Sequence, residues 1–148
     1  MATAAAEPVF VDTNILVFAN TATAPFHAEA QAALRSFAGS EAELWISRQI
    51  LREYLATLSR AQSFTAPVPA ASLCADVLRF QAQFQIAEDG PAVTGNLLTL
   101  LGSTIVGGKQ VHDANIVATL QAYAIPALLT HNVKDFERFG QVVRIEGI

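Results

Sequence analysis

Three apolar residues, Val9-Phe10-Val11, run without interruption into Asp12-Thr13-Asn14. A continuous apolar run, unlike an alternating one, predicts a strand covered on both faces, as in a parallel sheet. A helical period follows, with Phe26, Ala30, Ala33, Leu34 and Phe37 on one stripe. Thr23-Ala24-Pro25 reads as the start of that helix, with proline in the first turn, and Gly39 as its stop. Leu44-Trp45-Ile46 predicts a second buried strand. Ser47 can then cap a helix whose apolar stripe is Ile50, Leu51, Tyr54, Leu55 and Leu58.

Ala61–Pro69, with Pro67 and Pro69, reads as a loop, Ala70–Phe84 as a helix and Gln85–Glu88 as a strand. Asp89-Gly90-Pro91 opens a further helix reaching Leu101, and Gly102, Gly107 and Gly108 mark a flexible connection. His112–Ala124 is a strong helix pattern, followed by a strand at Ile125–Leu129, a short helical turn at Val133–Phe139 and a terminal strand at Val142–Ile145. Strands alternating with helices predict an α/β fold, a parallel sheet wrapped by helices. The 148 residues contain no repeat, low-complexity tract or long linker, so residues 1–148 read as one domain, large enough to form a core without disulfides.

Composition sharpens this picture in three places. Apolar residues make up 52% and charged residues 15%, so much surface is either deeply buried or kept for a partner. No apolar run approaches the ~20 residues that cross a bilayer. Met1–Glu7 lacks Lys and Arg and leads into no long apolar segment, unlike a secretory signal, and a cytoplasmic location is expected. The lone Cys74 excludes an internal disulfide and a cysteine-based zinc site, and its apolar neighbours predict a buried thiol. A net charge of −4 argues against gripping nucleic acid with the whole surface. Local positive charge is available from Arg48, Arg52, Arg60, Lys109, Lys134 and Arg138.

Candidate chemistry lies with the acids. Asp12 falls just beyond a strand's carboxyl end, where open α/β sheets place their ligands. Asp113 shares a helical stripe with Ile116, Val117, Leu120 and Ala124, so an apolar stripe carries a carboxylate at its N-terminal end. An uncompensated anion there is costly, and is relieved by the helix N-terminus or by a bound cation. Asp135 follows Leu128-Leu129-Thr130-His131-Asn132, again a strand end. Glu53 lies about 60° from Ile50 on the helical wheel, no better placed than Arg52, and taken alone reads as an ordinary solvated residue.

Each aspartate singly also reads as a helix cap. Two strand-end acids and one on a core-facing stripe point together to a carboxylate cluster. Clustered carboxylates cannot all stay ionised without a cation between them. Oxygen-only ligands select Mg²⁺ or Mn²⁺ over zinc, and such ions retain waters, one of which can attack a phosphodiester in line. The absence of a glycine-rich phosphate loop and of G-x-S-x-G argues against a triphosphatase and a serine hydrolase.

Four blocks carry a resemblance: Phe10-Val11-Asp12-Thr13-Asn14-Ile15-Leu16, Ser47-Arg48-Gln49-Ile50-Leu51-Arg52-Glu53-Tyr54, His112-Asp113-Ala114-Asn115-Ile116-Val117-Ala118-Thr119 and Leu129-Thr130-His131-Asn132-Val133-Lys134-Asp135-Phe136. In this order, spanning nearly the whole chain, they resemble the PIN domain, specifically the small VapC-like toxins of bacterial toxin–antitoxin pairs. The resemblance implies a mostly parallel central sheet with helices on both faces and a metal-dependent endoribonuclease using Mg²⁺ or Mn²⁺. It implies metal-holding and catalytic roles for Asp12, Glu53, Asp113 and, at the more variable position, Asp135, with Thr13, Asn14 and Asn132 orienting the acids or solvent. It also implies RNA as substrate, a small antitoxin as partner and a homodimer.

His112 and His131 read as surface or capping residues, with proton shuttling as the alternative. The Ala61–Ala70 loop and the alanine-rich N-terminus have no counterpart in the resemblance. The competing reading is a catalytically unused PIN module that binds RNA or a protein partner, against which the intact acid set speaks. A haloacid-dehalogenase-like phosphatase would want a second acid two residues after the first, where Asn14 stands.

Overall fold

The computed structural model describes residues 6–148. Most of Met1–Glu7, on which the reading of the N-terminus rests, therefore lies outside the described residues. Five strands form one sheet: β1 (Val9–Val11), β2 (Leu44–Ser47), β3 (Gln85–Ala87), β4 (Ala127–Thr130) and β5 (Arg144–Gly147), in the order β3-β2-β1-β4-β5. Every pairing is parallel. The apolar runs occupy the middle: all residues of β1 and β4 are buried, whereas the edge strand β5 carries exposed Arg144 and Gly147. Such burial requires cover on both faces. Helices α1 (Thr13–Asn20), α2 (His27–Gly39), α3 (Arg48–Leu58), α4 (Ala70–Gln83), α5 (Pro91–Ser103), α6 (Gln110–Ala122) and α7 (Val133–Phe136) provide it.

The topology itself marks a location. The chain runs outward from β1 through β2 to β3, then returns across the sheet to β4 on the other side of β1. Strand order therefore reverses between β1 and β4, and the crevice at their carboxyl ends is where such sheets bind ligands. The register pairs Val11 with Leu129, which sets Asp12 beside Thr130.

Four sequence expectations are corrected. Helix α1 was not expected, because five of the eight residues of Thr13–Asn20 (Thr13, Ile15, Leu16, Val17 and Ala19) are buried, and so short and largely apolar a segment shows no legible helical stripe. The next helix starts at His27, not around Pro25, because Phe26 takes a left-handed conformation (φ 58°) just before it. The last strand begins at Arg144. Val142 and Val143 instead donate their backbone N–H groups to the Phe139 carbonyl, forming a turn that follows the 3-10 helix at Glu137–Phe139. Cys74 is exposed, because α4 buries Leu73 and Phe80 and turns the intervening Cys74 outward. Among the described residues, no helix is long and apolar enough to cross a membrane.

Candidate active site

Asp12 leaves β1 and caps α1, accepting from the Thr13 N–H at 2.7 Å. Its other oxygen accepts from the Thr130 hydroxyl at 2.7 Å and from the Asn14 amide at 3.2 Å. Only 6% of the residue is exposed. Burial above all pushes its carboxyl up to about 6, and Glu53 pushes the same way, while the hydrogen bonds from Thr130, Thr13 and Asn14 pull it down.

The surrounding polar groups are tied into the same corner. Asn14 accepts from the His131 backbone N–H at 2.9 Å, and Thr130 accepts from the Asn132 N–H at 3.0 Å. The turn after β4 is thereby fastened to the turn after β1. Asn132 enters this network through its backbone N–H and lines the cleft.

Glu53 reaches the cleft from α3 and is held at both oxygens. The Thr13 hydroxyl donates at 2.6 Å and the Gln49 amide at 3.0 Å. Gln49 also donates to the His112 carbonyl at 2.9 Å and accepts from Asn115 at 2.8 Å. This buried glutamine thus joins α3, which carries Glu53, to α6, which carries Asp113. Thr130 and Gln49 were not singled out from sequence. Gln49 had a signal, one helical turn before Glu53, whereas Thr130 depends on the pairing of β4 with β1.

Asp113 lies in the first turn of α6, half-buried. Burial pushes it up to about 6, reinforced by Asp135, Asp12 and Glu53 in that order, with Arg138 opposing. Asp135 stands in the first turn of α7, exposed; it does not line the cleft that holds the other three acids, but is near enough to Asp113 for its charge to raise that carboxyl. A Cβ at Gly147 would lie 2.8 Å from Val133 Cγ2, so the glycine lets α7, and Asp135 with it, sit close against β5.

His112 is exposed on the cleft wall. The His131 ring is turned into an aromatic group, with its centroid 4.3 Å from that of Phe26 and 5.3 Å from that of Phe18.

Asp12, Glu53 and Asp113 share one cleft of about 660 Å³, walled also by Phe18, Phe64, Arg60 and Lys109. Among the described residues, no three acidic, histidine or cysteine side chains converge closely enough to ligate one ion directly. The donor chemistry nevertheless suits a hard divalent cation: oxygens only, with two carboxylates held against ionisation by burial and by one another. A cation that keeps part of its water shell tolerates the wider spacing.

The architecture is shared with solved structures. A chain from the crystal structure of VapBC2 from Rickettsia felis, bound to a DNA fragment from the promoter, matches with TM-score 0.68 and 19% identity over 95% of this chain and 98% of that one. A chain of the DNA-bound VapBC from Salmonella typhimurium matches with TM-score 0.66 and 20% identity over 96% and 98%. VapC20 from Mycobacterium tuberculosis, a toxin that cleaves the sarcin-ricin loop, matches with TM-score 0.61 and 16% identity over 81% and 86%. No family model matches the chain, and no curated protein sequence matches it significantly. The fold is PIN-like, and the similarity carried by the four sequence blocks is repeated in three dimensions.

Proposed function

We propose that this chain is a divalent-metal-dependent endoribonuclease, the toxin of a toxin–antitoxin pair. The observation that carries the reading is the meeting of Asp12, Glu53 and Asp113 in one cleft at the β1/β4 reversal, with Asp12 and Asp113 both held near 6. Asp12 and Asp113, with Glu53 and Asp135 directly or through water, would hold Mg²⁺ or Mn²⁺. When bound, such an ion lowers the pKa of a coordinated water and stabilises charge growing on the phosphate.

The chain's own residues supply orientation. Thr13, Asn14 and Thr130 fix the lone-pair directions of Asp12, and Thr13 and Gln49 fix those of Glu53. Arg60 and Lys109, on the cleft walls, offer positive charge to the phosphates of a bound strand. The solved relatives in fold include VapBC and FitAB assemblies, which supports a small antitoxin as partner. The proposed assembly state is a homodimer.

A second reading, a binding module whose acid site is unused, draws on the absence of a tight three-ligand group among the described residues. Purified protein incubated with mixed RNA and Mg²⁺ or Mn²⁺ separates the two. The nuclease reading expects cleavage that EDTA and Asp12→Asn each abolish. Folded protein that leaves tRNA and ribosomal RNA intact under all these conditions favours the binding module.

A further inference from the structure

Glu53 and Asp113 belong to different helices, α3 and α6, and one side-chain amide spans the two. Gln49, which carries it, is buried, with 6% of the residue exposed. A primary amide has two N–H donors on its nitrogen and an acceptor on its oxygen. All are used here. Nε2 donates to Glu53 Oε1 at 3.0 Å and to the His112 carbonyl at 2.9 Å, and Oε1 accepts from Asn115 Nδ2 at 2.8 Å. His112 immediately precedes Asp113, so the amide that aims Glu53 also holds the start of α6.

The orientation of this amide decides what Glu53 meets. Turned over, Gln49 would set its oxygen against the Glu53 carboxylate and the His112 carbonyl, three acceptors with no proton among them. Its own N–H groups would then face the N–H groups of Asn115. Buried polar groups left in that state are costly. Of the three partners, Glu53 is itself a candidate ligand and the His112 group is backbone, which leaves Asn115 as the side chain on which the orientation can turn. Beyond Glu53 the path continues, since its Oε2 accepts from the Thr13 hydroxyl at 2.6 Å and the Thr13 N–H donates to Asp12 at 2.7 Å. Neither Gln49 nor Asn115 lines the cleft, so their effect on an ion or a substrate passes through the acid they hold.

We propose that Asn115 is a positioning residue, a role that rests on the nuclease reading above: through Gln49 it fixes the direction in which Glu53 presents its carboxylate to the cleft, and the reach from Glu53 to Asp113.

The test compares Asn115→Ala, which deletes the donor, with Asn115→Asp, which keeps the shape and turns donor into acceptor. Opposite the new carboxylate Gln49 turns over and sets its oxygen against Glu53. Calorimetric titration of Mn²⁺ into the full-length protein should show binding weakened about 10–100-fold in Asn115→Asp and by a smaller factor in Asn115→Ala. The sign is diagnostic, because an added anion would by itself tighten the binding of a cation. At saturating Mn²⁺, kcat for RNA should fall with KM unchanged. In a Gln49→Met background, Asn115→Ala should cost nothing further. Metal-free protein gives a separate readout by nuclear magnetic resonance. The Gln49 side-chain N–H signals, identified by their loss in Gln49→Met, should exchange slowly with water in the wild type and faster in Asn115→Ala. Melting curves establish that each variant is folded.

Wild-type Mn²⁺ affinity in both folded variants overturns the proposal, as does tighter binding in Asn115→Asp. A further loss from Asn115→Ala in the Gln49→Met background also overturns it, because the effect then does not pass through Gln49. So does weakened binding with unaltered Gln49 exchange, which makes Asn115 a structural residue only. The two readings fail separately. A wild type that binds Mn²⁺ and cuts RNA, matched by both Asn115 variants, removes the positioning role alone. A wild type that neither binds Mn²⁺ nor cuts RNA removes the nuclease, and the Gln49 exchange rates then decide the clamp by themselves: faster in Asn115→Ala it stands, unaltered it falls.

Discussion

Asp12 and Asp113 are both raised to about 6, chiefly by burial, but what surrounds them differs. Around Asp12 the protein aims three donors at the carboxylate, and the chain on both sides is fastened by further hydrogen bonds. Asp113 stands half-buried at a helix start, and after burial it is the charges of Asp135, Asp12 and Glu53 that raise it. The first corner is pre-oriented by dipoles that stay in place whatever its charge. The second is poised by repulsion, which a cation relieves. Disturbing the first should therefore cost geometry and catalysis together, and disturbing the second mainly affinity for the ion.

The largest effect is expected from Asp12→Asn. It removes the charge at the pre-oriented corner while keeping the shape, so initial rates of RNA cleavage should fall by at least about 10²–10³-fold, the scale of losing one electrostatic stabiliser. Its melting temperature should remain close to that of the wild type. Unfolding together with the loss of activity would make Asp12 a structural cap above all.

Next comes the pH dependence of stability without metal. The folded protein holds Asp12 near 6 against 3.8 for the free side chain, so between these values it binds more protons than the unfolded chain. Stability is therefore expected to fall as pH rises through that window, by about 2–3 kcal/mol from Asp12. Asp113 adds a smaller contribution of the same sign. Denaturant unfolding at pH 4.5 and 7.5 measures the fall, Asp12→Asn should flatten it, and Mn²⁺ should reverse it.

Thr130→Val tests the fastening itself, because Thr130 is fully buried and valine keeps its shape. The variant loses the donor to Asp12 and the acceptor for the Asn132 N–H, which should weaken metal affinity or activity about 10–100-fold. The same loss should cost about 1–3 kcal/mol in stability. Thr130→Ser should restore most of both. At the second corner, Asp135→Asn should raise the Mn²⁺ needed for half-maximal activity only about two- to fivefold, since Asp135 is exposed and acts on Asp113 through charge. A loss as deep as that of Asp12→Asn would place Asp135 with the essential acids.

The same contrast explains what could be read from sequence. The sheet and the placing of Asp12 were legible because a continuous apolar run ending in an acid is a local signal. Asp113 was legible because its stripe is local too. Helix α1 was hidden by its own burial, since a short helix with five of its eight residues buried has too little polar surface to set a period. Thr130 was hidden because it meets Asp12 only through the β1–β4 register. Glu53, unremarkable on its wheel, gains its position from Thr13 and Gln49, whose contacts join α1, α3 and α6 in space. Local pattern thus gave the three aspartates, and tertiary contacts gave the place of Glu53 and the groups that aim the acids.

Calorimetric titration of Mn²⁺ into the folded protein at pH 7.5, beside Asp12→Asn and Asp113→Asn, tests the central claim most directly. The account predicts saturable binding to the wild type that either substitution weakens strongly. Mn²⁺ binding that is absent from the wild type, or that survives unchanged in both variants, would contradict it and return these aspartates to the role of helix caps.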